Sequence, residues 1–206
     1  GQGYGRADHE LPGAPVSSFE YLGILVSVIL GLALARLTSN VSKSIKRKAD
    51  FHPYWVQWVW TFNVWLLLLA VWWGMVSWDL LDGWTFFLFL FIMLYATLLF
   101  MLADALYPYD MVPGTDLRAH FFEHRRWFFG LLALCSLIDI PETVLKETFD
   151  LRPVPAAYPV MLASWFVIAV IGMVTSKPRV HAVLAIAWPV IFLAFVSQAL
   201  LVMWGG

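Results

Sequence analysis

The chain has 206 residues, of which 61% are hydrophobic and 13% charged, and its mean hydropathy is +0.76. Soluble domains carry about 25% charged residues, so charge at half that level, together with long apolar runs, is typical of a membrane protein. The net charge of −1 argues against nucleic acid as a partner, and one cysteine excludes an intramolecular disulfide or a cysteine-rich metal site. That cysteine, Cys135, lies in an apolar run, where we expect a buried, unreactive thiol.

The first helix is predicted to follow a polar N-terminal tail. Residues 1–17 are polar and rich in glycine and proline, so we expect an exposed tail whose first five residues are a remnant of processing. Ser17 and Glu20 have the S-x-x-E spacing of a capping box, which predicts a helix over residues 18–38. Small residues recur at every fourth position of this helix: Gly23, Ser27, Gly31 and Ala35. Such a stripe lets helix backbones approach closely in lipid, and we expect it to pack against another helix of this chain or against a second copy.

Five further apolar runs predict five more membrane helices. We expect them over residues 54–78, over 84–106, from His120 or Arg126 to Phe149, over 156–176 and over 180–204. Residues 41–50 form a basic connector that we expect at the lipid headgroups, and Pro189 predicts a kink in the last helix. The predicted fold is therefore all-α, with residues 18–206 forming a single bundle of about six transmembrane helices and no soluble domain.

The basic residues predict an orientation for this bundle. Most of the 13 lysines and arginines lie in or beside the turns after helices 1, 3 and 5, whereas most of the 14 acidic residues lie toward the other side. Since basic loops stay in the cytoplasm, both termini are expected on the outer side. The acidic outer rim would concentrate cations there.

A possible metal site precedes the apolar part of helix 4. His120, Glu123 and His124 match the H-x-x-E-H pattern, in which two histidines one turn apart bind a metal ion and the glutamate acts as a base. Arg125 and Arg126 follow directly and would oppose a dication. Two interpretations stay open: a solvated helix end at the membrane surface, or a transition-metal site in an interfacial enzyme. Beyond such a metal, the sequence predicts no cofactor.

A second group of charged residues lies where helix 4 leaves the membrane. Asp139, Glu142 and Lys146 follow the i, i+3, i+7 spacing, so they share one helix face, and Glu142 and Lys146 can form a pair one turn apart. Pro141 between them leaves a backbone carbonyl without its helical partner. Two carboxylates beside a proline are typical of cation or proton sites in membrane proteins. The alternative is an ordinary helix end at the interface, capped by Asp139.

Three more polar residues are candidates for the same pathway. Glu20 and Gln198 are expected at about the depth of Asp139, and Asn63 near the middle of helix 2, where it either lines the path or makes an interhelical hydrogen bond. Arg36 and Asp104 are expected to form an ion pair that joins two helices at the inner end.

Two stretches resemble a known kind of protein. The run FEYLGILVS from Phe19 and the run RAHFFEHRRWFFG from Arg118 resemble small polytopic inner-membrane proteins of bacteria that are uncharacterised. The resemblance implies a protein of the bacterial inner membrane, and it transfers no activity. In that membrane the outer side, where the basic residues predict both termini, is the periplasmic side.

The sequence favours an ion channel or a permeation pathway for cations, because nearly all of the chain is expected in the bilayer with an acidic outer rim. We expect this protein to be homo-oligomeric. The alternative is a non-catalytic accessory or scaffold subunit of a larger membrane complex. Under either hypothesis, the expected partners of this protein are the lipid bilayer and either a second copy of the chain or another membrane protein. An enzyme or metal protein that uses His120, Glu123 and His124 is the third hypothesis.

Overall fold

The computed structural model describes residues 18–46, 52–81, 83–151 and 153–204. In this part of the chain six α-helices follow one another: α1 (Ser18–Lys46), α2 (Trp55–Met75), α3 (Phe86–Asp104), α4 (Leu117–Thr148), α5 (Tyr158–Val174) and α6 (Pro178–Trp204). A 3₁₀ helix, Val76–Leu80, continues α2. All of the α-helices except α5 are long and apolar enough to cross a membrane, and α5 is a shorter apolar helix. The protein is therefore an all-α, multi-pass membrane protein, as predicted. The predicted tail and the capping residue Ser17 lie outside the described residues.

Helix α1 is longer than predicted. It ends at Lys46 and not near residue 38, so the first part of the predicted basic connector is helical. The buried side of the helix continues through Leu37, Asn40 and Ser44, which are spaced three and four residues apart. The sequence prediction stopped where the apolar residues ended, but polar residues extend the same buried stripe.

Helix α4 also begins earlier than predicted, at Leu117 and not at His120 or Arg126. The carboxylate of Asp116 accepts hydrogen bonds from the backbone N–H groups of Arg118 (2.9 Å) and Ala119 (3.0 Å). This is an N-cap, which satisfies donors that the first turn of a helix leaves without partners. The charged first turns of α4 therefore form one helix with the apolar segment that follows.

Within the described residues, no other helix lies against the two glycines of the small-residue stripe of α1. Helix α1 packs on α3 through its other side, where Leu22, Val26 and Leu30 are buried. A Cβ atom placed on Gly23 or Gly31 would meet no atom within 4 Å. The stripe was expected to pack against another helix of this chain or against a second copy, and packing against a second copy stays a prediction.

The centre of the bundle is an aromatic cluster. Trp60 of α2 makes edge-to-face contacts with Phe128 and Phe129 of α4, and its ring centre lies 5.5 Å and 5.1 Å from theirs. All three side chains are buried. Edge-to-face packing of this kind stabilises a core beyond the area it buries. Cys135, two turns further along α4, is a buried free thiol.

The end of α3 is fixed to the start of α2. Tyr107, which follows α3, is buried, and its hydroxyl lies 2.9 Å from that of Thr61. Burial raises the pKa of Tyr107 to about 12, and the hydrogen bond with Thr61 offsets part of this rise. The side-chain amide of Gln57 donates to the carbonyl of Leu106. These contacts hold the α3–α4 loop against α2.

Candidate functional site

A cavity of about 590 Å³ lies among α2, α4, α5 and α6, with Tyr95 of α3 in its wall. Its α2 wall runs over residues 66–74 and its α6 wall contains Phe192 and Phe195. Leu69, Trp72 and Trp73 line the cavity and are also exposed on the outside of the bundle. The cavity therefore opens sideways, along α2, toward the surface that lipid covers.

Asp139 of α4 is held between two tyrosines in this cavity. The hydroxyl of Tyr95 on α3 donates a hydrogen bond to its Oδ1 (3.1 Å), and the hydroxyl of Tyr158 on α5 donates to its Oδ2. Helix α4 continues to Thr148, so Asp139 does not cap the helix end. The carboxylate therefore lies inside the bundle, and the cation or proton site predicted for it stays a prediction.

Glu142 and Lys146 form a buried ion pair one turn further along α4. The ammonium of Lys146 also donates to the carbonyl of Gly74 (2.7 Å), and the indole N–H of Trp78 donates to Glu142 (3.2 Å). Gly74 belongs to the last turn of α2, so the lysine links α4 to the end of α2 through this carbonyl. Because Lys146 is only 2% exposed, both charges depend on these partners.

These residues make one end of the cavity acidic while its other walls are apolar. Asp139, Glu142 and Lys146 all line the cavity, and the other described residues of its lining are uncharged. Two carboxyl groups lie against one amine, so the ionised group has a net charge of −1. A cation that enters is attracted by this net charge, which the uncharged residues of the remaining wall do not carry.

The other predicted pathway residues are not brought to this cavity. Asn63 is buried between α2 and α6, and its Nδ2 donates to the carbonyl of Ala185 (2.8 Å). Glu20 and Gln198 lie on exposed faces of α1 and α6. The structure therefore joins Asp139 and Glu142, as the spacing predicts, but it does not extend a polar path from them to Asn63, Glu20 or Gln198.

The ion pair expected at the other end of the bundle is present. Arg36 of α1 contacts the carboxylate of Asp104 at the end of α3. The guanidinium also lies 5.6 Å from the ring centre of Tyr109. Because α1 and α3 pack along their length, this pair acts as an additional link between them and stays away from the cavity.

The two histidines of the H-x-x-E-H segment lie together on α4. The rings of His120 and His124 stack with their centres 4.2 Å apart, while Glu123 is exposed. Across the residues that the structure describes, no three side chains of His, Cys, Asp or Glu form a group suited to a metal ion. A transition-metal site here stays a prediction.

Three members of the site were missed from the sequence: Tyr95, Tyr158 and Trp78. Each provides a donor to a carboxylate of α4 from another element. The available signal was the hydroxyl of Tyr95 in the middle of an apolar helix, because a buried tyrosine hydroxyl needs a partner. Tyr158 and Trp78 lie at helix ends, where aromatic residues are common for anchoring alone.

Fold and site together define a class: a multi-pass α-helical membrane protein with an acidic, laterally open cavity inside the bundle. Comparisons of the chain with protein families, with curated proteins and with solved structures found no match. The resemblance to bacterial inner-membrane proteins stays a prediction.

Proposed function

We propose that this protein binds an amphiphilic organic cation within the membrane, and that the cation permeation predicted from the sequence concerns such a molecule. The observation that carries the proposal is the acidic end of an otherwise apolar cavity. Asp139 and Glu142 outnumber the single amine of Lys146, and the cavity opens toward lipid along α2.

The walls of the cavity favour an organic cation over a hydrated metal ion. A metal ion that leaves water needs several oxygen ligands at once, or a path of polar groups that keeps it hydrated. The two oxygens of Asp139 already accept from Tyr95 and Tyr158, and Glu142 already pairs with Lys146. Tryptophan, leucine and phenylalanine side chains form most of the remaining wall. Such a wall suits hydrocarbon or aromatic groups, and it also allows a cation to lie against an indole ring.

The experiment is equilibrium binding of two hydrophobic ions of matched size and opposite charge. The purified full-length chain is dialysed against tetraphenylphosphonium or tetraphenylborate. We expect the cation to bind at least about tenfold more tightly than the anion, and Asp139→Asn to remove most of that difference. Asp79→Asn is the matched control, because Asp79 is exposed beside α2 and does not line the cavity.

Equal binding of the two ions, or an unchanged preference in Asp139→Asn, contradicts the proposal. Flux of Na⁺ or K⁺ into liposomes that contain the protein, above the flux into empty liposomes, would instead support a channel for inorganic cations.

A second candidate function is that of an accessory subunit, and it is supported by the open face of α1. Gly23 and Gly31 offer a surface on which a helix backbone can lie closely, and nothing in the described chain occupies it. Solubilisation in a mild detergent distinguishes the candidates. A stoichiometric second protein would favour the accessory role, whereas a homogeneous assembly of this chain alone favours self-association.

A further inference from the structure

A second cavity, of about 520 Å³, is a groove between the last turns of α1 and the first turns of α2. It lies at the other end of α2 from the acidic cavity. Its walls are mainly apolar, with Val41 and Ile45 on α1 and Trp58, Phe62 and Trp65 on α2. Phe62 and Trp65 are also exposed on the outside of the bundle, so the groove is open to lipid along its length.

The charge of this groove is opposite to that of the acidic cavity. Of the described residues that line it, Lys46 carries the single charge, and Lys43 is exposed one turn earlier on α1. The groove therefore ends in one ammonium group, that of Lys46, and no carboxylate is among the described residues of its lining. It has the charge that complements a phosphate.

The depth of the groove also suits a phospholipid. Trp55, half exposed at the start of α2, is of the residue type that marks the boundary between headgroups and hydrocarbon. Lys46 is at this end of the groove, whereas Trp65 lies about 10 Å deeper along α2 than Trp58. A headgroup beside Lys46 and an acyl chain along Phe62 and Trp65 would fill it from end to end.

We propose that the groove between α1 and α2 is a binding site for an anionic phospholipid, whose phosphate lies against Lys46. Basic residues that directly follow a membrane helix attract anionic lipids. Here they coincide with a preformed apolar groove, which adds a contact for the acyl chain. The site is separate from the acidic cavity, so either proposal can fail without the other.

Native mass spectrometry of the full-length chain tests this site. The protein is released from detergent after incubation with equal amounts of dioleoyl phosphatidylglycerol and dioleoyl phosphatidylcholine. We expect about fivefold more of the anionic lipid to be retained, which corresponds to ~1 kcal/mol for one lysine near the membrane surface. Lys46→Gln should bring the ratio close to one. The control is Lys177→Gln, because Lys177 is an exposed lysine of the α5–α6 turn, outside the groove.

A second variant separates the groove from general surface charge. Thr38 lines the groove and is exposed, so Thr38→Trp should fill the groove while the chain still folds. We expect this variant to lose the retained anionic lipid although Lys46 is intact. The proposal is overturned if the wild-type protein shows no preference for the anionic lipid. It is equally overturned if Lys177→Gln reduces the preference as much as Lys46→Gln does, or if Thr38→Trp retains the lipid at the wild-type level.

Discussion

The side chain of Asn63 in α2 donates a hydrogen bond to the carbonyl oxygen of Ala185 in α6, at 2.8 Å. Ala185 lies four residues before Pro189, which is inside α6. Because proline has no N–H, this carbonyl lacks the hydrogen bond that its own helix would otherwise provide. Asn63 replaces the missing donor, as a neighbouring helix often does around a membrane proline. Of the two roles expected for Asn63, the structure shows the interhelical hydrogen bond.

Asn63 and Pro189 should therefore be coupled in stability. We expect Asn63→Leu to lower the free energy of unfolding by about 1 kcal/mol, since it leaves a buried carbonyl without a donor. In a Pro189→Ala background residue 189 regains its N–H, so the same change should cost less. A double-mutant cycle, measured by unfolding in detergent, gives the coupling. An identical cost of Asn63→Leu in both backgrounds would mean that the two residues act independently.

The ion pair of Glu142 and Lys146 predicts an asymmetry between single and double substitution. Lys146→Met leaves a buried carboxylate and the carbonyl of Gly74 without their cation, so we expect a loss of about 3 kcal/mol in unfolding free energy. Adding Glu142→Gln removes the unpaired charge and keeps an acceptor for Trp78. The double variant should therefore recover much of the loss. Thermal unfolding of the three proteins in one detergent measures this, and a Lys146→Met protein as stable as the wild type would show that the pair is not buried.

Gly172 of α5 is predicted to be irreplaceable by alanine. A Cβ atom at this position would lie 2.5 Å from Cε1 of Phe129. That ring is fully buried beside Trp60, so it has little room to move. We expect Gly172→Ala to lower the unfolding free energy by roughly 1–3 kcal/mol through overpacking.

The control for this substitution is Gly130→Ala in α4. The nearest atom to an added Cβ there is Sδ of Met173 at 3.9 Å, an ordinary contact. Since alanine favours a helix more than glycine does, we expect Gly130→Ala to be neutral or slightly stabilising. Phe129→Leu should also relieve the cost of Gly172→Ala. Equal effects of the two glycine substitutions would contradict the close contact of Gly172 with Phe129.

The predicted orientation can be tested by labelling from one side. In a Cys135→Ser background, single cysteines are placed at Asp79, in the 3₁₀ helix after α2, and at Tyr109 and Lys177, in the turns after α3 and α5. The basic turns are predicted to be cytoplasmic. A membrane-impermeant maleimide added to intact bacterial cells should label Asp79→Cys and leave Tyr109→Cys and Lys177→Cys unlabelled. The reverse pattern would invert the bundle and place both termini in the cytoplasm.

The sequence predicts structural features that are set by residues close together along one helix, such as the presence of the helix and the residues that share its face. Apolar runs predict the six helices, and spacing along α4 predicts that Asp139, Glu142 and Lys146 share a face. The ends of α1 and α4 were misplaced because Asn40, Ser44 and the first charged turns of α4 are polar residues in helical positions, which hydropathy does not separate from a connector.

The hydrogen-bond partners of the α4 carboxylates could not be predicted from the sequence. Tyr95 and Tyr158 reach Asp139 from α3 and α5, and they meet only because both helices pack against α4. Local periodicity gives the apolar faces of such helices, but these helices are apolar on nearly every side, so no pattern indicates which side faces which neighbour.

Photoaffinity labelling tests most directly whether the acidic cavity binds an organic cation. A quaternary ammonium amphiphile that carries a diazirine is crosslinked to the full-length protein, and the labelled peptides are mapped. We expect labels on residues 66–74 and 192–196, which line the same cavity as Asp139, and we expect their loss in Asp139→Asn but not in Asp79→Asn. Labels spread over the outer faces of all six helices, with no change in Asp139→Asn, would show that the cation only dissolves in the surrounding lipid.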